Sequence, residues 1–530
     1  MEKQYEKRLK EHAAELAEHF SQSTDPADLK KAIEYGEMAA KRAVDVYAYG
    51  EAARLLEQAL KVQKVLDPED KVSYCDLLLG LCHVLSMGGE PRRALDKELP
   101  EAFALAEELG DPARMSQVCT TAILCLHAYG GFDLAIWGNP EAAQWVERAD
   151  RYAEPETIAR AWADEGMAQV KVSAGLYTQQ PALVAEGLPL SKQALELARR
   201  LGDPETFWFM AGLWLIHAQA PQYTEERWRL AEELEGRSRV GAHAESVGIS
   251  LIVAGSVFLE SCQLERAEKL FNESKELAER SGQSLLKLVS MAVDGVMAIR
   301  DGLLEDAVEI AQKMQTLSAE LNVVSFATSL MPMAAVTPFI RLGRADEAIS
   351  IMPTMPASLV KFICRAYPTP DPEVTGILDA VIAARPEIVS DKDAVWAPID
   401  VILLEAAVLV GHKEAAELLL RRYTDSGLRT VGIFNTTCVD RHLGGAAALL
   451  GRYDEARKYY DEALKAATEV KFRPEIALTR LNLAELLLEH YPKEKKEALK
   501  HLDFAIKEFR DMKMQPSLER ALRHKEILET

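Results

Sequence analysis

Five side chains close together in the sequence could bind a small molecule. They lie in the segment FWFMAGLWLIHAQAPQY and are Phe207, Trp214, His217, Gln219 and Tyr223. Imidazole and amide groups beside aromatic rings could hydrogen-bond a ligand while the rings cover its apolar part. Aromatic residues at helical spacing are also typical of a hydrophobic core, so a purely structural role for the segment is the alternative.

No motif for catalysis or metal binding accompanies these residues. The sequence lacks the phosphate-binding pattern G-x-x-x-x-G-K-[ST], the zinc-helix pattern H-E-x-x-H and the nucleophile pattern G-x-S-x-G. The histidines are scattered, and Cys75 and Cys82 lack the spacing of metal ligands, as do Cys119 and Cys125. We therefore predict that the chain is not an enzyme and has no catalytic residue, metal site or cofactor.

The acidic composition limits the classes of partner. The 530-residue chain has a net charge of -21, whereas nucleic acids and anionic membranes are bound by basic surfaces. The N-terminal sequence has no apolar core of a signal peptide, and no apolar run reaches the ~18 residues of a membrane-spanning helix. We therefore expect a cytoplasmic protein that binds neither nucleic acid nor membranes.

The elements that must position these side chains are repeated helix pairs. The stretch GGAAALLGRYDEARKYYDEALKAATE begins at Gly444 and follows the tetratricopeptide repeat (TPR), a helix–turn–helix unit of about 34 residues. Gly444 and Ala456 are small where the two helices of one unit approach each other, and Gly451 ends the first helix. The regular spacing of small residues is therefore interpreted as a pattern for packing helical hairpins.

The recurrence of this pattern predicts the whole fold. Matching small residues recur at Ala39, Ala267, Ala307, Ala416 and Ala484, and the sequence L-G-D-P closes two of the units. We expect an all-α, TPR-type α-solenoid, a right-handed superhelix of about eleven or twelve helical hairpins.

Composition divides the predicted solenoid into three segments. Residues 1–350 are expected to form an N-terminal and central TPR-like superhelix, and residues 396–530 to form C-terminal TPR-like repeats that continue it. Residues 351–395 are expected to form an irregular, Pro-rich connection with short helices. Residues 129–140, rich in glycine and aromatic residues, are predicted to form a long ordered loop.

The repeat pattern also predicts which side chains face the concave surface. Ile249, Ile252, Ser256 and Arg441 are expected there, and most other inner positions are apolar. An apolar lining disfavours a groove for acidic peptide tails, because carboxylates require charged hydrogen-bond donors. Two alternatives remain. A tightly wound superhelix would bury these positions against one another, whereas an open one would form a pocket for an apolar ligand or helix.

Both ends of the chain resemble a known protein family. The C-terminal segment beginning RHLGGAAALLGRYDEARKYY and the opening EHAAELAEHFSQSTDPADLKK resemble the TPR-containing C-terminal region of bacterial STAND-class signalling ATPases. That class includes MalT-like regulators and ATPases coupled to adenylate or guanylate cyclases. The resemblance implies a TPR array that serves as the sensor and inhibitory arm of an ATP-binding module.

The catalytic parts of that family are missing from this sequence. It has no phosphate loop, no cyclase carboxylates and no DNA-binding helix-turn-helix. The resemblance therefore implies an upstream NTPase module, either in the full-length protein or encoded nearby. No catalytic residue of the family can be placed on this chain.

These observations predict a ligand- or protein-sensing TPR scaffold of a STAND-like signal-transduction ATPase, non-catalytic by itself. The alternative is a free-standing TPR adaptor that mediates protein–protein interaction. In either case the expected partner, a protein or a small-molecule effector, occupies the concave groove.

Overall fold

A computed structural model of the chain describes residues 9–131, 134–178, 180–320, 332–347 and 372–529. Consecutive helices of the described residues pair through short turns. The helices of the first half are α1 (Ala13–Ser21), α2 (Pro26–Asp45), α3 (Tyr49–Leu66), α4 (Lys71–Met87), α5 (Leu99–Glu108), α6 (Pro112–Gly130), α7 (Leu134–Trp137), α8 (Pro140–Tyr152), α9 (Ile158–Tyr177), α10 (Pro181–Leu201), α11 (Pro204–His217) and α12 (Thr224–Gly236). A π-helical turn, Ala94–Glu98, leads directly into α5.

The second half continues the same arrangement and adds two short strands. Its elements are α13 (Ala244–Glu260), α14 (Leu264–Ser281), α15 (Ser284–Asp301), α16 (Leu304–Glu320), α17 (Pro332–Leu342), α18 (Pro372–Ala384), α19 (Ala397–Val410), α20 (Lys413–Tyr423), β1 (Thr430–Val431), β2 (Asn435–Cys438), α21 (Val439–Leu449), α22 (Tyr453–Glu469), α23 (Arg473–His490), α24 (Lys495–Asp511) and α25 (Gln515–Glu529). The predicted all-α, TPR-type solenoid is confirmed. In the part of the chain that the structure describes, no helix is both long enough and apolar enough to cross a membrane.

The sequence L-G-D-P sets the boundary between one hairpin and the next. Gly202 ends α10 in the left-handed conformation, and Pro204 lies in the first turn of α11. The Asp203 carboxylate accepts a hydrogen bond from the Thr206 N–H at 2.8 Å. An aspartate cap satisfies a backbone N–H that a helix leaves free, and proline has no N–H to satisfy there. Asp111 caps α6 in the same way.

Small residues allow the helices of a hairpin to touch, as predicted. A Cβ atom on Gly444 of α21 would lie 2.6 Å from the ring of Tyr460 on α22, which is closer than any real contact. Ala456 and Ala463 of α22 are fully buried. Since a larger side chain would push the two helices apart, the small residues determine how closely they pack.

The C-terminal part of the chain packs against the middle of the solenoid. The hairpin of β1 and β2 lies on α13, where Thr430 Oγ1 donates a hydrogen bond to Leu259 O at 3.1 Å. In the same hairpin, the Ile433 N–H donates to Ser256 Oγ at 3.1 Å. The strands therefore cover the side of α13 that carries Ser256.

A second contact joins the end of α11 to the start of α19. The Trp396 indole donates to His217 O at 2.9 Å, and the Ala397 N–H donates to Gln219 O at 3.0 Å. These bonds connect residues far apart in sequence, so the superhelix winds back on itself. Much of the predicted inner surface is consequently covered by the chain itself, which favours the tightly wound alternative.

One local prediction was wrong, and one local feature was not expected. Residues 129–140 are not simply a loop, because α6 extends to Gly130 and the short α7 follows. The buried Trp137 of α7 donates its indole N–H to Gly131 O at 2.9 Å, which holds this turn against α6. The β1–β2 hairpin was not expected, since strands of two and four residues are too short to give an alternating pattern.

The predicted division at residues 350 and 395 stays a prediction. Residues 348–371 of the Pro-rich connection lie outside the described residues. The rest of the predicted connection, from residue 372 to residue 395, contains α18 and a short segment that precedes α19.

Candidate binding cavity

The five side chains of the 207–223 segment lie mostly in the core. Phe207, Trp214, His217 and Gln219 are buried, and Tyr223 is partly buried. Helix α11 is apolar on all sides. Neighbouring hairpins and the start of α19 cover it, so these apolar side chains are buried. The structure does bring Trp214 and Tyr223 together, with their ring centroids 6.4 Å apart. A role for these residues in binding stays a prediction.

His217 belongs to a buried polar cluster that includes residues of α9 and α10. Its Nε2 lies 2.8 Å from Gln169 Oε1, its Nδ1 lies 3.3 Å from Ser191 Oγ, and Glu165 Oε1 is 3.4 Å from the same Nδ1. Burial lowers the pKa of His217 to about 3. Burial raises the pKa of Glu165 to about 8. Both groups are therefore mainly neutral near pH 7, as expected for polar side chains held inside a core.

Replacing Glu165 with glutamine is expected to stabilise the protein increasingly as the pH rises. The folded-state pKa of Glu165 is raised above its ordinary value, so the folded protein binds this proton more tightly than the unfolded chain. The unfolding free energy of the wild type therefore falls as the pH increases from the ordinary pKa of glutamate to the raised pKa of Glu165. The variant lacks this loss. The difference in unfolding free energy should grow by about 2–4 kcal/mol between pH 5 and pH 9.

Urea denaturation at several pH values measures this difference. The exposed Glu147→Gln on α8 is the control and should show no such trend. His217 is present in wild type and variant, and its lowered pKa reduces stability on the acid side in both. A pH-independent difference for Glu165→Gln would mean that the Glu165 carboxyl is not neutral in the fold.

The remaining predicted site residues face inward but contact the chain itself. Ser256 is fully buried beneath the β1–β2 hairpin, and Ile252 is buried on the same helix. Arg441 binds the carboxylate of Glu475 through Nε at 2.8 Å and through Nη2 at 3.2 Å. Arg441 is thus part of an internal ion pair. A role for Ile252, Ser256 and Arg441 in ligand binding stays a prediction.

A partly open cavity lies instead between hairpins that are distant in sequence. A cavity of about 90 Å³ is bordered by α4, α6, α11, α13 and α15. Its apolar wall is formed by Leu124, Phe209, Leu213, Ile216, Ile249 and Leu285. Ile249 was among the inner positions of the repeat pattern, whereas the other wall residues come from different units.

One end of the cavity carries an ion pair. The Glu205 carboxylate accepts hydrogen bonds from the backbone N–H of His243, at 2.6 Å, and from the Ser246 hydroxyl. The side-chain Nδ1 of His243 lies 3.3 Å from Glu205 Oε1. Burial alone would raise the pKa of Glu205, but the side-chain hydrogen bond and the charge of His243 lower it overall. The side-chain hydrogen bond to Glu205 raises the pKa of His243, so the two charges compensate each other.

Other polar atoms in the cavity wall lack partners. Gln283 and His127 are more than nine-tenths buried, and Gln283 Oε1 and His127 Nε2 have no hydrogen-bond partner within the described residues. Glu245, in the first turn of α13, likewise makes no hydrogen bond or ion pair with that part of the chain. Burial and the nearby charge of Glu205 raise the pKa of Glu245 to about 7, against the opposing effect of the His243 charge. Buried polar atoms normally have a hydrogen-bond partner, so Gln283 Oε1 and His127 Nε2 are available to a bound molecule.

No pattern in the sequence indicated this cavity. The rings of His83 and His243 have centroids 6.3 Å apart, although they lie on elements of different units far apart in sequence. No local spacing could have connected them. Across the described ranges, no group of three or more His, Cys, Asp or Glu side chains is arranged to hold a metal ion.

Comparison with known proteins supports the repeat class. A model of the tetratricopeptide repeat family matches residues 435–507. No curated protein matches the sequence significantly. Tetratricopeptide repeats stack into scaffolds whose extended concave surfaces bind partners.

Two solved structures are similar along most of their length. The crystal structure of the APC/C hetero-tetramer Cut9-Hcn1 gives a TM-score of 0.29 and 16% identity, covering 92% of this chain and 96% of that chain. The crystal structure of Scc4 in complex with Scc2n and Ctf19n gives a TM-score of 0.34 and 11% identity, covering 94% and 99%. At these TM-scores the likeness carries no argument about partners. The chain is an all-α, TPR-type solenoid whose residues 435–507 match the tetratricopeptide repeat family.

Proposed function

We propose that this chain is a non-catalytic sensor in which a small molecule binds between successive windings of the solenoid. The observation that carries the proposal is the cavity with its unpartnered polar atoms, Gln283 Oε1 and His127 Nε2. Its walls come from hairpins near residues 83, 127, 210 and 249. A ligand there would contact several units at once.

Because the ligand would contact several units, its binding would affect how these units are arranged in the solenoid. A ligand that touches α4, α6 and α13 stabilises the wound arrangement of these hairpins relative to a more open one. The shift between the two shapes cannot exceed the difference in the ligand's affinity for them. Binding would therefore change the curvature of the array and the surfaces that it presents to a second domain.

The resemblance at both chain ends supports a STAND-like signalling ATPase as the setting of this sensor, and we include that setting in the proposal. The second domain would then be an upstream NTPase module, in the full-length protein or encoded nearby. We further propose a cytoplasmic location and no interaction with nucleic acid or membranes. The net charge of -21 supports these exclusions.

A protein-docking adaptor is the second candidate. It is supported by the tetratricopeptide repeat at residues 435–507. It is also supported by an open groove of about 250 Å³ between α13, α14 and α15, where Ile252, Phe271 and Met297 lie beside charged residues. A protein segment with apolar and charged side chains would fit this groove better than a small molecule would.

Hydrogen exchange measured by mass spectrometry tests the sensor proposal. The low-molecular-mass fraction of a cell extract is expected to slow exchange in α4 and α13 together, since both border the cavity. Ala128 lines the cavity on α6, so Ala128→Phe should fill the space and abolish the effect. Ala113→Phe, at an exposed position of the same helix, is the matched control and should retain it.

If no small-molecule fraction changes hydrogen exchange in α4 or α13, the sensor proposal is wrong. A stoichiometric protein partner that binds Ala128→Phe as well as wild type would then favour the adaptor.

A further inference from the structure

We propose that the ligand of this cavity is a small organic cation, a primary ammonium group on a short apolar chain. This inference rests on the proposed sensor function and adds the chemical class of the effector. It is carried by the unpartnered hydrogen-bond acceptors in the cavity wall and by Glu245, which makes no hydrogen bond or ion pair with the described residues.

The free acceptors lie on two elements. Glu245 of α13 contributes a carboxylate and Gln283 before α15 contributes Oε1. The unpartnered Nε2 of His127 on α6 adds a third acceptor in the tautomer that carries its proton on Nδ1. The Gln283 amide nitrogen is already used, since it donates to the Tyr49 hydroxyl at 3.4 Å. An ammonium group has three donors and no acceptor, which suits such a set of groups.

Matching donors are scarce in the same wall. No lysine or arginine lines the cavity in the residues that the structure describes. The His243 charge is matched by Glu205, and burial lowers the pKa of His83, which keeps that ring neutral near pH 7. A carboxylate or phosphate ligand would therefore find no free positive charge here. An inorganic divalent cation is disfavoured too, because the described side chains form no metal-binding group.

The pKa of Glu245 agrees with a missing cation. Burial and the charge of Glu205 raise it to about 7 although the charge of His243 opposes them, so the ionised carboxylate is poorly stabilised at this position. A bound ammonium would restore the ionised form. Binding near pH 7 should therefore release part of a proton.

The apolar wall and the volume limit the rest of the ligand. Phe209, Leu213 and Ile249 offer hydrocarbon and aromatic surface beside the polar end. A cavity of about 90 Å³ accommodates on the order of four to six non-hydrogen atoms, since one of about 150 Å³ holds benzene. An unbranched alkylammonium of about four carbons satisfies both limits.

Isothermal titration calorimetry with three probes of similar size tests the charge of the ligand. The probes are n-butylammonium, n-butanol and butyrate, which each have four carbons and carry different end groups. Only n-butylammonium is expected to bind. Equal or tighter binding of butanol or butyrate would overturn the inference, as would the absence of binding by all three.

Glu245→Gln tests which group holds the cation. It removes the charge but keeps the shape, so the affinity for n-butylammonium should fall by about tenfold or more. Glu147→Gln, at the exposed position on α8, should leave the affinity unchanged. Circular dichroism confirms that both variants are folded. Unchanged affinity of a folded Glu245→Gln would contradict the assignment.

The pH dependence provides an independent readout. The titratable groups around Glu245 are Tyr49, His83, His127, Glu205 and His243. Burial raises the pKa of Tyr49 and lowers the pKa of His83 and His127, the pKa of Glu205 is lowered, and loss of the His243 proton at higher pH makes the site more negative. The affinity of wild type should therefore rise about tenfold between pH 6 and pH 8. A flat profile would be evidence against Glu245 as the ligand-binding carboxylate.

Failure of this inference can be told apart from failure of the proposed function. If an extract fraction slows exchange in α4 and α13 but n-butylammonium does not bind, the sensor remains and its ligand is not such a cation. If neither effect occurs, both proposals fail together.

Discussion

Replacing Glu475 with alanine is expected to destabilise the protein by about 3–5 kcal/mol. Glu475 on α23 is fully buried and accepts hydrogen bonds from three directions. Arg441 donates through Nε at 2.8 Å, Arg341 donates through Nη2 at 3.1 Å, and the Cys438 N–H donates at 3.0 Å. One carboxylate therefore joins α17, β2, α21 and α23.

The size of the effect follows from the charges that would be left behind. Burial by itself would raise the pKa of Glu475, but the charges of Arg441 and Arg341 lower it overall, so the group is ionised in the fold. Its removal leaves two guanidinium groups beside a core without their shared counter-charge. Breaking a buried pair in this way costs far more than losing a surface pair.

Urea denaturation monitored by circular dichroism measures the change. Glu489→Ala lies on the same helix with a side chain that is 65% exposed, and it is expected to change stability by less than about 0.5 kcal/mol. The double variant Glu475→Ala, Arg441→Ala should lose less than the sum of the two single losses, because both act on one network. A Glu475→Ala protein as stable as the control would show that the network does not hold these helices together.

Replacing Gly432 with alanine is expected to cost about 2–4 kcal/mol. Gly432 lies in the turn between β1 and β2 with φ of 61°, a left-handed conformation that side chains rarely adopt. An added Cβ would overlap Ser256 Oγ and would lie 3.0 Å from Ser256 O. The substitution therefore combines backbone strain with overpacking where the hairpin meets α13.

Gly427 separates these two contributions. It has φ of 76°, but no atom of the described residues lies within 4 Å of the place that a Cβ would occupy, so Gly427→Ala carries the strain alone. Its expected cost is about 1 kcal/mol. The excess loss in Gly432→Ala is then the energy of the clash.

A second substitution tests whether the clash is with Ser256. In the background of Gly432→Ala, Ser256→Ala removes the overlapping hydroxyl and should recover part of the lost stability. In wild type the same change removes the hydrogen bond from the Ile433 N–H and should cost about 1 kcal/mol. Equal stability of the Gly432→Ala and Gly427→Ala proteins would mean that the hairpin does not cover α13 closely.

The candidate cavity could not have been found from the sequence, although much of its surroundings could. The apolar inner face of α13, including Ile249, follows from the repeat pattern. The acidic and imidazole groups do not, because His83 is far in sequence from Glu205 and Glu245 and becomes their neighbour only in the folded chain. His217 and Gln219 were chosen for their chemistry, but burial makes His217 part of a core cluster with Glu165.

Local sequence was sufficient to specify the helical repeats. Gly444, Ala456 and the L-G-D-P boundaries act within one or two neighbouring units, since helix periodicity, capping and close packing all depend on nearby residues. The curvature of the array and the contacts of its inner surface emerge only in the folded chain. Folding placed the β1–β2 hairpin on Ser256, paired Glu475 with Arg341, and enclosed the cavity. This difference arises because curvature is the sum of small rotations at every hairpin, and residues on different windings have no fixed separation in sequence.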